Sequence, residues 1–183
     1  MLNNGSINEN KTSFSHIPDE RSVCKLGKSK VLPFSSKSTM ASNCFDIIHS
    51  DVWGITPVIS HTNIKYFVTF IDDHSRFTWV YLLHSKSKAF DDFQKFMAYV
   101  DNQFSTRIKV FRSDSGGEYM SHQFQTYLQK HGILSQRSCP YTSQQNGVAE
   151  RKNRRLLNTV CSLFLESSVP AKFWPEAVAT TVH

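Results

Sequence analysis

The chain of 183 residues has little of the material that marks several protein classes. Its four cysteines, Cys24, Cys44, Cys139 and Cys161, include no C-x-x-C pair, which argues against a disulfide framework and against an intact zinc finger. No apolar run approaches the roughly 18 residues of a membrane span, and the N-terminal residues lack the apolar middle of a signal peptide. These absences favour a soluble, intracellular protein whose thiols are reduced.

The residues that are present suffice for one sizeable hydrophobic core. Hydrophobic residues make up 39% of the chain, which contains 14 phenylalanines, and this composition is typical of a globular domain. Residues 1–44 are rich in Ser, Asn and Lys and have no sustained period, which is typical of irregular structure. We therefore expect an irregular leader over residues 1–38 and one folded domain over residues 39–183.

Positive charge is concentrated in the C-terminal part of the chain. The net charge is +6, and residues 105–183 carry ten basic and five acidic side chains. Much of this excess lies in the run Glu150-Arg151-Lys152-Asn153-Arg154-Arg155. Such a run is a candidate phosphate-binding surface, and a solvated helix face is an equally good interpretation of it.

Hydrophobic periodicity predicts strands first and then alternating helices and strands. The predicted strands are 45–51, 65–72, 77–83, 108–113 and 133–138, and the predicted helices are 87–103, 121–131, 148–167 and a last one from about 173. Three consecutive strands followed by alternating elements indicate an α/β fold with a mixed five-stranded sheet and helices on both faces.

Three acidic residues occupy positions where metal chemistry would be placed. Asp51 and Asp114 are predicted to end strands, and Glu150 falls in the first turn of the long helix. Asp51 and Asp114 enclose 62 residues, and Asp114 and Glu150 enclose 35. Carboxylate oxygens suit hard divalent cations, which in pairs activate an attacking oxygen and stabilise a leaving one. Taken singly, each acid is better explained as a turn residue or a favourable helix-start charge, and it is the spacing of the three that favours a metal site.

These residues lie in sequence motifs that resemble a known family. The motifs are FDIIHSDVWG, FIDDHSRFTWVYLL, VFRSDSGGEY, CPYTSQQNGVAERKNR and VPAKFWPEAV. They resemble the D,D(35)E catalytic core of integrases from retroviruses and retrotransposons, and are most similar to the copia type. The resemblance covers about residues 36–183.

The resemblance carries specific expectations. It implies a ribonuclease-H-like fold, two Mg²⁺ or Mn²⁺ ions held by Asp51, Asp114 and Glu150, and 3′-end processing and strand transfer on double-stranded DNA, both element ends and target. It also implies a homo-oligomer and a nuclear location, although no targeting signal is evident. Asp51, Asp114 and Glu150 take the catalytic carboxylate roles by matching position.

Polar and basic residues around Glu150 are the candidate DNA contacts. Tyr141, Gln144 and Asn146 precede the long helix and offer hydrogen bonds to phosphates and base edges, while Asn146 equally suits a helix cap. Wound at about 100° per residue, the helix places Glu150 between an apolar side and a basic one. Arg151 and Arg154 fall on the basic side and are predicted to bind phosphates, and Asn153 lies where it can orient Glu150.

Other polar residues compete for these roles. Asp72 and Asp73 beside a turn are explained without metal, and His49 is better explained as a packed or hydrogen-bonded histidine. Glu118 follows Asp114 by four residues but is expected on a flexible glycine turn. The two glycines in that turn, Gly116 and Gly117, are expected to allow positive φ and close backbone approach.

The chain departs from the copia-type pattern at several positions. Ser115 and Ser143 replace common residues of the motifs, and Cys161 stands where arginine is common. Only a degenerate remnant of the family's upstream zinc-binding module is present, because Arg21 occupies the first cysteine position and His16 is the only histidine in the first 48 residues. No zinc is therefore expected.

The resemblance also implies a core truncated at its C-terminal end, part of a larger polyprotein. Two alternatives stay open at this point. One is a ribonuclease that cuts RNA in a hybrid with DNA, which the 35-residue spacing disfavours. The other is a catalytically silent retrotransposon remnant that only binds nucleic acid or partner subunits.

Overall fold

Five strands form one mixed sheet in the computed structural model, which describes residues 40–54, 58–138 and 146–182. The strands are β1 (Ile47–Trp53), β2 (Tyr66–Asp72), β3 (Thr78–Leu83), β4 (Val110–Ser113) and β5 (Leu134–Arg137). Their order in the sheet is β3-β2-β1-β4-β5. The first three pair antiparallel, whereas β4 and β5 run parallel to β1. The predicted mixed five-stranded sheet is confirmed.

The helices cover both faces of this sheet. They are α1 (Ala89–Phe104), α2 (Gly117–Met120), α3 (His122–Lys130), α4 (Gly147–Ser167) and α5 (Trp174–Thr181), with 3₁₀ turns at Lys86–Lys88 and Ala171–Phe173. Only α2 lies where no helix was predicted. Among the helices described, none combines the length and the apolar character needed to cross a membrane.

An aromatic core fills the space between one sheet face and helices α1 to α3. Phe93 of α1 is fully buried, and its ring centroid lies 4.7 Å from that of Phe111 and 5.0 Å from that of Phe124. Phe70 of β2 stacks on Phe96 with centroids 4.7 Å apart. Residues three or four apart on α1 share one side of the helix, which is why Phe93 and Phe96 both face this core.

Helices α4 and α5 cover the opposite face. Phe67 of β2 is fully buried there against Val160 of α4 and against Trp174 and Val178 of α5. The apolar side predicted for α4 is confirmed, since Ala149, Leu156 and Val160 are all buried. Because α4 lies across the sheet in this way, its first turns are fixed beside β1 and β2.

Strand β1 extends further than its sequence predicts. The pairing with β2 continues from Ile48↔Asp72 through Asp51↔Thr69 to Trp53↔Phe67. Asp51 therefore lies within the strand, two residues before its end, and the prediction that it ends the strand is wrong. The hydrogen-bonded ladder and the buried Val52 hold the chain extended past the carboxylate.

Candidate active site

Three structural elements carry the predicted acidic residues toward one edge of the sheet. Asp51 lies near the carboxyl end of β1, Asp114 directly follows β4, and Glu150 lies in the first turn of α4. Strands β1 and β4 are parallel neighbours, so their carboxyl ends lie at the same edge, where ligand sites of open α/β sheets form. All three side chains belong to partly buried residues.

The electrostatics of Asp51 link these acids to one another. Burial raises the pKa of Asp51, and the negative charges of Asp114, Glu150 and Glu118 raise it further. A hydrogen bond from Asn153 opposes them, but the pKa of Asp51 remains above its ordinary value. The carboxylates therefore lie close enough to repel one another, and a cation among them would relieve that repulsion.

Asn153 is a functional partner whose target the sequence did not identify. Its Nδ2 donates a hydrogen bond of 2.8 Å to Oδ2 of Asp51, and the residue is only 3% exposed. We predicted that Asn153 orients Glu150, and that pairing is wrong because α4 lies so that this side chain faces β1. The Oδ1 atom of Asn153 is buried and has no hydrogen-bond partner among the described residues.

The turn after β4 places two acids around one glycine. Gly116 N donates to Oδ1 of Asp114 at 3.0 Å. A Cβ atom at Gly116 would lie 3.0 Å from that same Oδ1 and 2.9 Å from Cδ of Glu118. Close approach of the two side chains therefore requires glycine here. The φ of Gly116 is −58°, and Gly117 also lacks a positive φ, so that part of the prediction is wrong.

Glu118 is held more firmly than its sequence context predicts. It lies in the short helix α2 instead of on a flexible turn, and its side chain is 7% exposed. Lys86 Nζ lies 3.4 Å from its Oε1 and partly neutralises it. Glu118 is thus a fourth acid near the three predicted ones, with a basic partner of its own.

Buried hydrogen bonds tie α2 and the start of α4 to β1. Ser50 Oγ and Tyr119 Oη lie 2.7 Å apart, and both residues are buried. Asn146 Nδ2 donates to the carbonyl oxygen of Ser50 at 3.3 Å. Asn146 occupies the predicted N-cap position of α4, but its side chain makes no capping hydrogen bond. These bonds fix the backbone on which Asp51 and Glu150 stand.

Hydrogen bonds engage both carboxylates of the Asp72-Asp73 pair. Asp72 accepts from Phe45 N, Ser75 N and Ser75 Oγ. Asp73 accepts from Ala41 N, and the buried His49 Nε2 lies 2.8 Å from its Oδ1. These contacts support the structural interpretation of Asp72, Asp73 and His49.

The predicted DNA contacts are only partly within the described residues. Arg151 and Arg154 are exposed on α4, whereas Asn146 and Asn153 are buried. The other two predicted contacts, Tyr141 and Gln144, lie outside the described residues. Two of the four cysteines, Cys24 and Cys139, also lie outside them.

The acidic site suits a hard divalent cation by its chemistry. Its donors are carboxylate oxygens, and burial together with their mutual repulsion raises the pKa of Asp51. Within the described ranges, no three His, Cys, Asp or Glu side chains converge closely enough to form a complete metal cage. Mg²⁺ commonly binds through one or two carboxylates together with waters and substrate phosphates, so the donors present fit it without such a cage.

The fold and this acidic edge are those of a ribonuclease-H-like α/β domain with carboxylates at the carboxyl end of its central strands. Residues 42–143 match the family described as integrase core domain. The chain belongs to this family.

Similar proteins include polyproteins of plant transposons. The chain is 43% identical over 160 residues to a retrovirus-related Pol polyprotein from transposon TNT 1-94 of Nicotiana tabacum, an alignment that covers 87% of this chain and 12% of the polyprotein. It is 38% identical over 162 residues to the corresponding polyprotein from transposon RE1 of Arabidopsis thaliana, covering 88% and 11%. The chain thus spans about a tenth of the length of these relatives.

A solved structure supports the fold. A chain of the simian T-cell lymphotropic virus intasome, solved in complex with PP2A regulatory subunit B56 gamma, superposes with a TM-score of 0.59 at 18% identity. The match covers 74% of this chain and 46% of that one. At this level of identity the likeness establishes a common fold.

Proposed function

We propose that the chain is the catalytic core of a copia-type retrotransposon integrase, which processes the 3′ ends of element DNA and joins them to target DNA. The observation that carries the proposal is geometric: Asp51 and Asp114 lie at the carboxyl ends of the parallel neighbours β1 and β4, and Glu150 lies in the first turn of α4. Membership of the integrase core family and similarity to transposon polyproteins support it. The core is proposed to comprise residues 39–183.

Asp51 and Asp114 are proposed to hold a first Mg²⁺ or Mn²⁺ ion, and Glu150 completes a second site. When bound, such ions activate an attacking oxygen and stabilise the leaving oxygen of a phosphodiester. Asn153 fixes Oδ2 of Asp51 through its 2.8 Å hydrogen bond. Because α4 carries both Asn153 and Glu150, one rigid helix positions two groups of the site.

We propose two successive transfers at this site. First, a water oxygen attacks a phosphorus near the DNA end, the bond to the 3′ oxygen of the retained strand breaks, and that oxygen leaves with a proton as a free 3′-hydroxyl. This hydroxyl oxygen then attacks a phosphorus of target DNA. A new phosphodiester forms while the target's own 3′ oxygen departs with the proton.

DNA binding is assigned to residues around the helix start. Arg151 and Arg154 are exposed and basic, and we propose that they bind backbone phosphates. Tyr141, Gln144 and Asn146 are proposed to contact the DNA end. The structural neighbour is a chain of an intasome, which supports the proposal of an assembly on DNA. We also propose that the assembly is a homo-oligomer and that it acts in the nucleus.

The test is a substrate comparison with the full chain. Labelled duplex DNA carrying an element end is incubated with Mg²⁺ or Mn²⁺, and shortened and joined products are separated by electrophoresis. We expect both products from the wild-type chain and neither from Glu150→Gln, whose circular dichroism should be unchanged. Asp101→Asn, an exposed acid on α1, is the matched control and should keep activity.

Two results would contradict the proposal. Preferential cutting of RNA in an RNA–DNA hybrid would indicate a ribonuclease. Tight DNA binding with no cleavage at any concentration of either metal would indicate a silent remnant.

A further inference from the structure

A basic pocket lies between the first turns of α4 and the end of β2 with the turn that follows it. It has a volume of about 280 Å³ and is lined by Ile71, Arg76, Val148, Arg151, Lys152 and Arg155. Arg76 comes from the turn between β2 and β3, whereas the other three basic residues come from the first turns of α4. Since a water occupies roughly 30 Å³ in the liquid, the pocket has room for a phosphate group.

The positive charges of this pocket are mostly not neutralised by the protein. Arg151, Lys152 and Arg155 form no ion pair with any residue that the structure describes. Arg76 Nη1 lies 3.2 Å from Oδ1 of Asp73, an acid that also accepts a hydrogen bond from Ala41 N. The pocket therefore combines four cationic side chains with one acid that already has other partners.

Intramolecular electrostatics does not explain cations at this position. The N-terminal end of a helix carries a partial positive charge and favours acidic side chains, yet Arg151 and Lys152 directly follow the first turn of α4. Arg151 also lies tightly over the helix start, since a Cβ at Gly147 would be 2.8 Å from its Nη1. Glycine at this position thus leaves room for the guanidinium, and a bound anion would offset the charge.

We propose that the pocket formed by Arg76, Arg151, Lys152 and Arg155 binds a backbone phosphate of the duplex DNA that the carboxylates act upon. This inference rests on the proposed function. Arg151 directly follows Glu150, and Arg155 lies about one turn beyond Arg151 on the same side of the helix, so the pocket begins next to the carboxylate and one duplex can contact both places. The contribution of Arg76 is new, because this residue brings the turn between β2 and β3 into DNA binding.

The test measures DNA affinity as a function of salt for single variants of the full chain. Arg76→Gln, Lys152→Gln and Arg155→Gln each remove one pocket charge. Arg107→Gln removes one exposed charge from the segment between α1 and β4 and is the matched control. Fluorescence anisotropy with a labelled duplex, between about 50 and 200 mM salt, gives the affinity and its salt slope. Circular dichroism confirms that each variant folds.

Each lost phosphate contact should lower the slope of log affinity against log salt by about 0.9. At 0.1 M salt, one decade below a 1 M reference, this corresponds to about an eightfold loss of affinity relative to the wild-type chain. We expect such losses for the three pocket variants and a smaller one for Arg107→Gln. Lys152→Gln and Arg155→Gln keep the test valid if Arg76→Gln disturbs its turn.

Three results would overturn the inference. Unchanged slopes in all pocket variants would mean that DNA does not enter the pocket, and equal losses in Arg107→Gln would mean that only net charge matters. A rise in melting temperature with inorganic phosphate that the pocket variants abolish, without a change in DNA affinity, would indicate a site for a small anion. Cleavage by the wild-type chain is scored separately, so failure of the pocket is distinguished from failure of the proposed function.

Discussion

The hydrogen bond between Asn153 and Asp51 joins α4 to the central strand, and its removal gives a quantitative prediction. Asn153→Ala deletes the donor that lies 2.8 Å from Oδ2 of Asp51. That bond lowers the pKa of Asp51 against the effects of burial and of the neighbouring acids. Without it, the charged form of Asp51 loses its one side-chain donor among the described residues, and its pKa rises further.

The free energy that this hydrogen bond contributes depends on whether Asp51 is charged. Hydrogen bonds to charged groups contribute about 1.5–3 kcal/mol, and neutral ones about 0.5–1.5 kcal/mol. The loss of stability in Asn153→Ala alone understates the contribution of this hydrogen bond. Alanine also removes the buried, unpartnered Oδ1 of Asn153, and burial of such an atom costs about 1–3 kcal/mol. A double-mutant cycle with Asp51→Ala isolates the pair.

The assay is urea unfolding of the wild-type chain, the two single variants and the double variant. At pH 7 we expect a coupling free energy of about 1.5–3 kcal/mol. As the pH falls through the pKa of Asp51 and the carboxyl becomes protonated, the coupling should decrease toward the neutral value. Asn158→Ala, an exposed asparagine on the same helix, is the control and should change stability by less than about 0.5 kcal/mol.

A coupling free energy below about 0.5 kcal/mol at pH 7 would refute this reasoning, because distant, independent sites show values of that size. A coupling that grows as the pH falls would refute it as well, since it would mean that the bond favours the protonated carboxyl.

Three further predictions concern the site and its supports. Arg151→Ala and Arg154→Ala should each weaken duplex binding almost independently of sequence and lower the salt slope by about 0.9, measured by anisotropy, and unchanged values in both would indicate a solvated helix face. Tyr119→Phe removes the 2.7 Å bond to Ser50 and should lower the free energy of unfolding by about 1–3 kcal/mol, measured with urea, whereas equal stability would contradict the assignment of that bond. Because the folded-state pKa of Asp51 lies above its unfolded value, the folded protein binds more protons between the two pKa values and loses stability as the pH rises through them. Asp51→Asn should therefore raise the melting temperature at pH 7, with a gain that shrinks at lower pH, and a lower melting temperature at pH 7 would contradict the raised pKa.

Much of the fold could be predicted because its patterns are local. The hairpin β2–β3 alternates aromatic and β-branched residues around a polar turn, and α1 and α4 carry apolar residues three or four apart. Helix α2 could not be predicted in this way, since four residues that begin with glycine show no period. Phe104 continues the apolar spacing of α1 but is 48% exposed, because the helix ends there.

The partners of individual side chains depend on long-range packing. Asn153 and Asp51 are 102 residues apart, and only the way in which α4 lies on the sheet decides that Asn153 faces Asp51 instead of Glu150. Arg76 could not be joined to the basic run of α4 for the same reason. The sequence placed Asn153 beside the apolar side of the helix, which was the one available signal for its burial.

The central claim is that Asp51, Asp114 and Glu150 act together as a site for divalent cations. Calorimetric titration of the full chain with Mn²⁺ tests it most directly, with Asp51→Asn, Asp114→Asn and Glu150→Gln beside the wild-type chain. We predict that heat of binding is lost in the first two variants and reduced in Glu150→Gln, while the control Asp101→Asn binds as the wild-type chain does. Unchanged binding in Asp51→Asn and Asp114→Asn, together with its loss in Asp72→Asn, would contradict the claim.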